Sequence, residues 1–162
     1  MTLEADILFS IVANETDAGD YAKDVRTTKV ENFIALTDGT GANQAQIAWS
    51  DSRTATNSGD AIDLRALVDD RGTITFTAIK AMYFRNTGAA MIYWGDVNQP
   101  WSAFVEDLGD SNLLFPAGTA MLLTASSAAG FEVSPQSKNI NLVAFQGSST
   151  YEIVLIGEGT IT

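Results

Sequence analysis

The amino-acid sequence predicts an all-β protein, an antiparallel β-sandwich of jelly-roll type with about ten short strands. The first observation behind this prediction is that no stretch with helical periodicity extends beyond about two turns. The second is that short apolar or alternating runs recur about every 8–12 residues, a spacing typical of sandwiches and barrels. The third is that glycine-containing turns separate these runs and that no β-α-β pattern is present.

The N-terminal part of the chain begins with the compact apolar run 7–12, which is the first predicted strand. A polar stretch follows over 14–24, and an alternating pattern resumes over 27–36. We therefore predict that residues 1–24 form an N-terminal arm or edge strand and that residues 25–162 form a single β-sandwich domain. A length of 162 residues fits one domain.

Turn residues delimit the next two predicted strands. A Gly-Thr-Gly turn at 39–41 precedes an alternating strand over 44–50. An Asn-Ser-Gly-Asp turn at 57–60 precedes an apolar strand over 62–67. The succession of strand and turn therefore continues towards the middle of the chain.

The clearest predicted strand covers residues 73–86. Ile74 and Phe76 alternate with threonines, and the apolar positions then change phase near Thr77 and Ala78. A one-residue change of phase predicts a β-bulge or a bend at this point. Because the strand is apolar on both faces beyond it, we expect the strand to lie at the centre of a sheet and to be covered on both sides.

The C-terminal half contains the remaining predicted strands. Residues 89–94 follow a short connection and are expected to pair back onto 73–86 as a hairpin. The longest irregular segment, 95–112, comes next, and long loops in compact domains are often functional. Four further strands are predicted at 119–124, 131–134, 139–145 and 151–156. The last of them is expected to form the core sheets together with 73–86.

The chain contains no His and no Cys. Ser-His-Asp and Cys-His catalysis, ordinary zinc sites, haem ligation by His or Cys, and disulfides are therefore excluded. Carboxylates are plentiful, but pairs such as Asp69 and Asp70 have no spacing that indicates a glycosidase. An Asp-rich loop such as 51–60 could supply oxygen ligands to a structural cation, although no EF-hand pattern is present. We predict a protein that is not an enzyme and has no catalytic residue, cofactor or metal site.

The chain is strongly acidic, with a formal net charge of −11 and an isoelectric point near 4.1. Nucleic acid and membrane surfaces are therefore not predicted as partners, because both attract clustered Lys and Arg. No apolar run reaches the ~18 residues of a membrane span, and the N-terminus lacks the pattern of a secretory signal peptide. We expect the protein to be made and folded in a cytoplasm.

Five apolar residues are candidates for a protein interface: Ile7, Phe9, Trp94, Trp101 and Phe104. The first two lie in the predicted arm, and the three aromatic residues lie in or beside 95–112. These aromatic residues could equally seal one end of the core, or Trp94 and Trp101 could stack on a carbohydrate. Lys138 is the only basic residue beyond 85. The low charge of the C-terminal half fits either solvated loops on a sandwich or a surface that packs on another protein, since interface cores are depleted of charge.

Several segments, taken together, resemble a group of tailed-bacteriophage virion structural proteins. These segments are 39–45 (GTGANQA), 49–54 (WSDSRT), 63–67 (DLRAL), 76–83 (FTAIKAMY) and 151–157 (YEIVLIG). They run through most of the chain. Because they are turn and strand patterns rather than catalytic signatures, the resemblance brings no active site with it.

The resemblance implies a capsid decoration (cement) protein, a β-sandwich bound to the outer surface of a phage head. Its partner would be the major capsid protein, and the protein would be a homotrimer on the virion after synthesis in the host cytoplasm. The N-terminal arm would contact the capsid or a neighbouring subunit. Alternatives are a head-fibre, neck or tail subunit, or a carbohydrate-binding β-sandwich module that uses Trp94 and Trp101.

Overall fold

The computed structural model describes residues 2–18, 23–94, 101 and 113–162, and these residues form strands and turns without a helix. The predicted all-β class is therefore confirmed. Thirteen strands lie within the described ranges: β1 (Ala5–Ala18), β2 (Lys23–Asp38), β3 (Gln44–Ala45), β4 (Ile47–Thr56), β5 (Asp60–Asp63), β6 (Leu67–Asp69), β7 (Gly72–Asn86), β8 (Ile92–Trp94), β9 (Leu113–Phe115), β10 (Ala120–Thr124), β11 (Phe131–Glu132), β12 (Asn139–Ala144) and β13 (Ser148–Ile161).

Four of these strands, β1, β2, β7 and β13, are 14 to 16 residues long. The length of β7 was predicted, whereas β1, β2 and β13 exceed the shorter strands expected from the sequence. The reason is visible in β13, where apolar alternation predicts only 151–156. Beyond this range Ser148 pairs with Thr56 on β4, and Thr160 pairs with Thr75 on β7. A strand keeps its backbone hydrogen bonds where its side chains become polar, so alternation marks only the part that faces the core.

The central sheet has the order β10-β7-β13-β4, and β6 and β11 also pair with β7. This confirms the predicted central position of β7, and the last strand, β13, is its neighbour in the same sheet. Between Glu158 and Gly159 on β13, the opposite residue on β7 changes from Ala78 to Phe76. Thr77 therefore has no partner on β13, which confirms the predicted bulge. A Cβ at residue 159 would overlap the carbonyl oxygen of Thr75, so the close strand approach at the bulge requires glycine.

The second sheet has the order β5-β12-β8-β9. The predicted hairpin between β7 and the strand at 89–94 is wrong, because β8 pairs with β12 and β9. The physical cause lies in the connection, where the N–H groups of Thr87 and Gly88 both donate to the carbonyl oxygen of Thr150, at 3.0 and 2.9 Å. These two bonds direct the chain away from β7 and towards the second sheet.

The hydrophobic core lies between the two sheets and gives the fold its sandwich-like character. The central sheet contributes side chains such as Trp49, Phe84 and Ile153, and the second sheet contributes Ile62 and Leu142, all 5% exposed or less. Two facing sheets of this kind bury their inner side chains against each other. None of the described residues of β1 or β2 belongs to this core cluster.

The first two strands form an antiparallel hairpin, which we call the ribbon. Its register is regular along its whole length, from Ala5 opposite Leu36 to Ala18 opposite Lys23. Beyond the ribbon, β2 pairs in parallel with the two-residue strand β3. The boundary predicted at residue 24 lies within β2, near the end of the pairing between β1 and β2.

Candidate functional site

The ribbon carries most of the large hydrophobic side chains that the described structure exposes. Nine such side chains are exposed, and six of them are on β1 and β2, with exposed fractions from 42% to 67%. The six are Leu8, Phe9, Ile11, Val12, Val30 and Phe33. Single apolar residues on a surface are ordinary, whereas a group of them on one element indicates an interaction site.

The antiparallel register divides the ribbon into two faces, because residues opposite each other point to the same side. On one side, which we call the inner face, the residues of β1 over 5–13 and those opposite them on β2 are all uncharged. The inner face consists of Ala5, Ile7, Phe9, Ile11 and Ala13 on β1, with Leu36, Ile34, Asn32, Val30 and Thr28 opposite them on β2.

Exposure rises steadily along the inner face. Leu36 is 1% exposed and Ile7 is half-buried, whereas Phe9, Ile11 and Val30 are 42%, 49% and 51% exposed. One end of this face therefore packs on the rest of the chain, which we call the body. The other end continues into solvent with the same apolar character.

The opposite side of the ribbon, the outer face, combines apolar and charged residues. Leu8 and Phe33 lie opposite each other and are 67% and 60% exposed. Nearby, Lys29 and Glu31 form an exposed ion pair at 2.8 Å. The outer face thus offers a small apolar pair beside a charged pair, a mixture common at the surfaces of protein interfaces.

An apolar groove of about 450 Å³ lies between β1 and the outer surface of the central sheet. One wall is formed by the segment Asp6–Phe9 of β1. The floor includes Ala81, Tyr83, Leu122, Val154 and Ile156. Since consecutive residues of β1 line the groove, it follows the edge of this strand. A smaller cavity of about 250 Å³ separates the inner face from β10.

The residues singled out from the sequence do not come together. Ile7 and Phe9 lie on the inner face of the ribbon, beside the groove. Trp94 and Trp101 lie in the core, 1% and 0% exposed, with their rings stacked at 6.0 Å between centroids. Phe104 lies outside the described residues.

Hydrogen bonds fix Trp101 in its buried position. Its indole Nε1–H donates to the carbonyl oxygen of Glu132 at 2.9 Å, and its backbone N–H donates to the carbonyl oxygen of Asn139 at 2.8 Å. Neither Trp94 nor Trp101 presents a ring to a partner or to a sugar, which corrects the expectation that these two residues form an interface. Of the alternatives weighed for them, the core position is the one observed.

A charged cluster joins β4, β5 and β13 on the body. Arg53 donates to both carboxylate oxygens of Asp60, at 2.8 and 2.7 Å, and the Tyr151 hydroxyl donates to the same carboxylate at 2.6 Å. Burial and the hydrogen bond to Asp60 raise the pKa of Tyr151. Burial opposes the ionisation of Asp60, yet the hydrogen bonds from Arg53 and Tyr151 hold its pKa below the usual value. A neutral phenol and a fully bonded carboxylate connect strands and provide no free base or nucleophile.

A second buried charge, Lys80, was not singled out from the sequence. Its ammonium group donates to the carbonyl oxygens of Ser127 and Ala128, at 2.7 and 2.5 Å, and lies 2.8 Å from a carboxylate oxygen of Glu158. The side chain is 0% exposed. It fastens the loop between β10 and β11 to β7. The sequence feature that could have identified it is a single Lys within the part of the predicted strand that is apolar on both faces.

In the ranges that the structure describes, no group of three or more His, Cys, Asp or Glu residues is placed to hold a metal ion. Over the same ranges, no helix is long and apolar enough to cross a membrane. Comparison of the chain with protein-family models, with curated proteins and with solved structures gives no match.

Proposed function

We propose that the chain is a non-enzymatic structural subunit of a tailed-bacteriophage particle, a capsid decoration (cement) protein that binds the outer surface of the head and stabilises it. Its partner is then the major capsid protein, and the subunit is a homotrimer on the virion. The observation that carries the proposal is the concentration of exposed hydrophobic side chains on the ribbon. Such a surface fits a protein partner.

The body supports this assignment because the described part of its core cluster is built without the ribbon. The core cluster draws its described residues from β4 onward. A protruding apolar element that the core does not need is expected to be covered in an assembled state. Bound to a lattice in many copies, even weak docking of each ribbon gives firm attachment through avidity.

The bacteriophage part of the proposal comes from the sequence resemblance over 39–157. A head-fibre, neck or tail subunit could use the ribbon in the same way, and the number of copies per particle separates these roles, since a cement protein is abundant. The carbohydrate-binding alternative loses support, because Trp94 and Trp101 are buried and cannot act as stacking platforms.

A binding assay with phage heads that lack the protein tests the proposal. We expect the purified chain to sediment with such heads, and we expect Phe33→Asp on the outer face to weaken binding by about tenfold or more, because it places a carboxylate in the docking surface. Phe145→Asp is the matched control, since Phe145 is similarly exposed (53%) but lies on the body.

Equal binding by Phe33→Asp and the wild-type chain would contradict docking through the outer face. Failure of the wild-type chain to bind any head would contradict decoration, and attachment to isolated tails would favour the tail alternative. Circular dichroism of both variants confirms that each one is folded before its binding is compared.

A further inference from the structure

The first strand has an open edge. Among the described residues β1 pairs with β2 alone, so the backbone groups along its other edge have no strand partner there. Natural edge strands are usually protected by charge, Pro, a bulge or shortness. The 14-residue strand β1 has no charged residue and no Pro over 7–13. An edge of this kind is a template for the addition of another strand.

The apolar groove runs along this same edge. Its floor includes Tyr83, Leu122 and Val154, which are partly exposed side chains of the central sheet. A strand added to β1 would therefore gain backbone hydrogen bonds from the edge and would place alternate side chains over an apolar floor. The edge and the groove together form a binding site for an apolar strand.

We propose that the occupant of this site is β1 of a second copy of the chain, paired antiparallel across a two-fold axis at Ser10. The segment Asp6–Asn14 is self-complementary in this register. It pairs Phe9 with Ile11, Leu8 with Val12, Ile7 with Ala13, Asp6 with Asn14, and Ser10 with its own symmetry mate. Apolar residues meet apolar residues, and no carboxylate lies opposite another, which matters for a chain with a net charge of −11.

The pairing covers the side chains that the ribbon leaves exposed. Because opposite residues share a face, the inner faces of the two ribbons become one continuous surface. Ile11 of the second copy then lies beside Phe9 over the groove, and symmetry repeats the contact at the other end. A self-complementary contact of this kind is what a two-fold interface requires.

The other strand of the ribbon is less suited to this role. β2 carries the Lys29–Glu31 ion pair, and its C-terminal end already pairs with β3. The inference does not rest on the proposed function, since strand pairing requires no phage head. In a trimeric decoration protein, the same contact would join two trimers across a two-fold position of a lattice.

Cysteine cross-linking tests the pairing directly, because the chain has no Cys of its own. On the axis, the two residue-10 Cα atoms would be about 4.5–5.5 Å apart, within the range of a disulfide. We expect mild oxidation to convert most of a Ser10→Cys variant to a covalent dimer on a non-reducing gel. Val12→Cys and Asn32→Cys are the controls, since residue 12 and its own symmetry mate would be ~13 Å apart and residue 32 lies on β2.

A mixing experiment then tests the register. Leu8→Cys and Val12→Cys occupy opposite positions in the pairing, so neither variant should form a covalent dimer when oxidised alone. A mixture that exchanges subunits before oxidation should give the covalent heterodimer. Sedimentation of the wild-type chain at rising concentration should show an even number of copies.

Three results would overturn the inference. The first is a Ser10→Cys dimer no more abundant than that of Val12→Cys or Asn32→Cys. The second is a mixture of Leu8→Cys and Val12→Cys that cross-links no more than its separate components. A wild-type chain that stays strictly monomeric would contradict the pairing in the same way.

Discussion

The body and the ribbon use the same kind of residue for opposite purposes, as Phe84 and Phe33 show. Both lie on long antiparallel strands. Phe84 is 0% exposed and contacts the rings of Phe115 and Tyr151 at 4.6 and 5.5 Å between centroids, whereas Phe33 is 60% exposed. Because an isolated two-stranded hairpin is marginally stable in water, the ribbon's apolar residues are suited to association rather than to folding.

The largest expected effect tests this contrast with one substitution made in both regions. Phe84→Ala should lower the free energy of unfolding by about 3–5 kcal/mol, since it removes a buried ring and leaves a cavity. Phe33→Ala should change it by less than about 0.5 kcal/mol. Urea unfolding followed by tryptophan fluorescence measures both, because Trp49, Trp94 and Trp101 are buried. A comparable loss in the two variants would mean that the ribbon is part of the folded core.

Ion pairs extend the contrast from apolar residues to charged ones. Lys80→Met should cost about 3 kcal/mol of unfolding free energy, because it leaves Glu158 and two carbonyl oxygens without their cation. Lys29→Met, which breaks the exposed pair with Glu31 on the ribbon, should cost less than about 1 kcal/mol.

The double variant Lys80→Met with Glu158→Leu provides the control for the buried pair. It should recover part of the loss, since no carboxylate then remains unpaired. If Lys80→Met proves as mild as Lys29→Met in urea unfolding, the buried pair does not fasten the loop between β10 and β11 to the sheet.

The sequence predicted the body better than the ribbon for a physical reason. The pattern of apolar residues along a strand depends on which side chains face a core. The central position of β7 and the bulge at Thr77 could therefore be predicted from this pattern. The ribbon leaves the core, and its first apolar run ends at Val12 although the strand continues to Ala18 through pairing with β2. Exposed strands are held by backbone hydrogen bonds, which every residue except proline can make.

Long-range contacts explain the remaining differences between sequence and structure. Trp101 is buried because Glu132 and Asn139, which are distant in sequence, accept its hydrogen bonds. Lys80 is tolerated in a core strand because a loop almost fifty residues later supplies carbonyl oxygens. Composition reveals neither arrangement. Ile7 and Phe9, by contrast, could be proposed for an interface from the sequence, because an apolar run near the end of a domain is recognisable without knowledge of long-range contacts.

The smallest expected effect is the loss of unfolding free energy at low pH, which we expect to arise in the body. The folded-state pKa of Asp60 is lowered relative to its unfolded value of about 3.9. Its contribution to stability is therefore fully present above the unfolded pKa and is lost as the pH falls through the folded pKa.

We expect the unfolding free energy to decline below about pH 4. The decline should be less steep in Tyr151→Phe, which lacks one donor to Asp60, and least steep in Asp60→Asn. Urea unfolding at a series of pH values measures these slopes. If Asp60→Asn keeps the full wild-type slope, the acid response arises elsewhere, and the cluster of Arg53, Asp60 and Tyr151 does not distinguish the body from the ribbon in this respect.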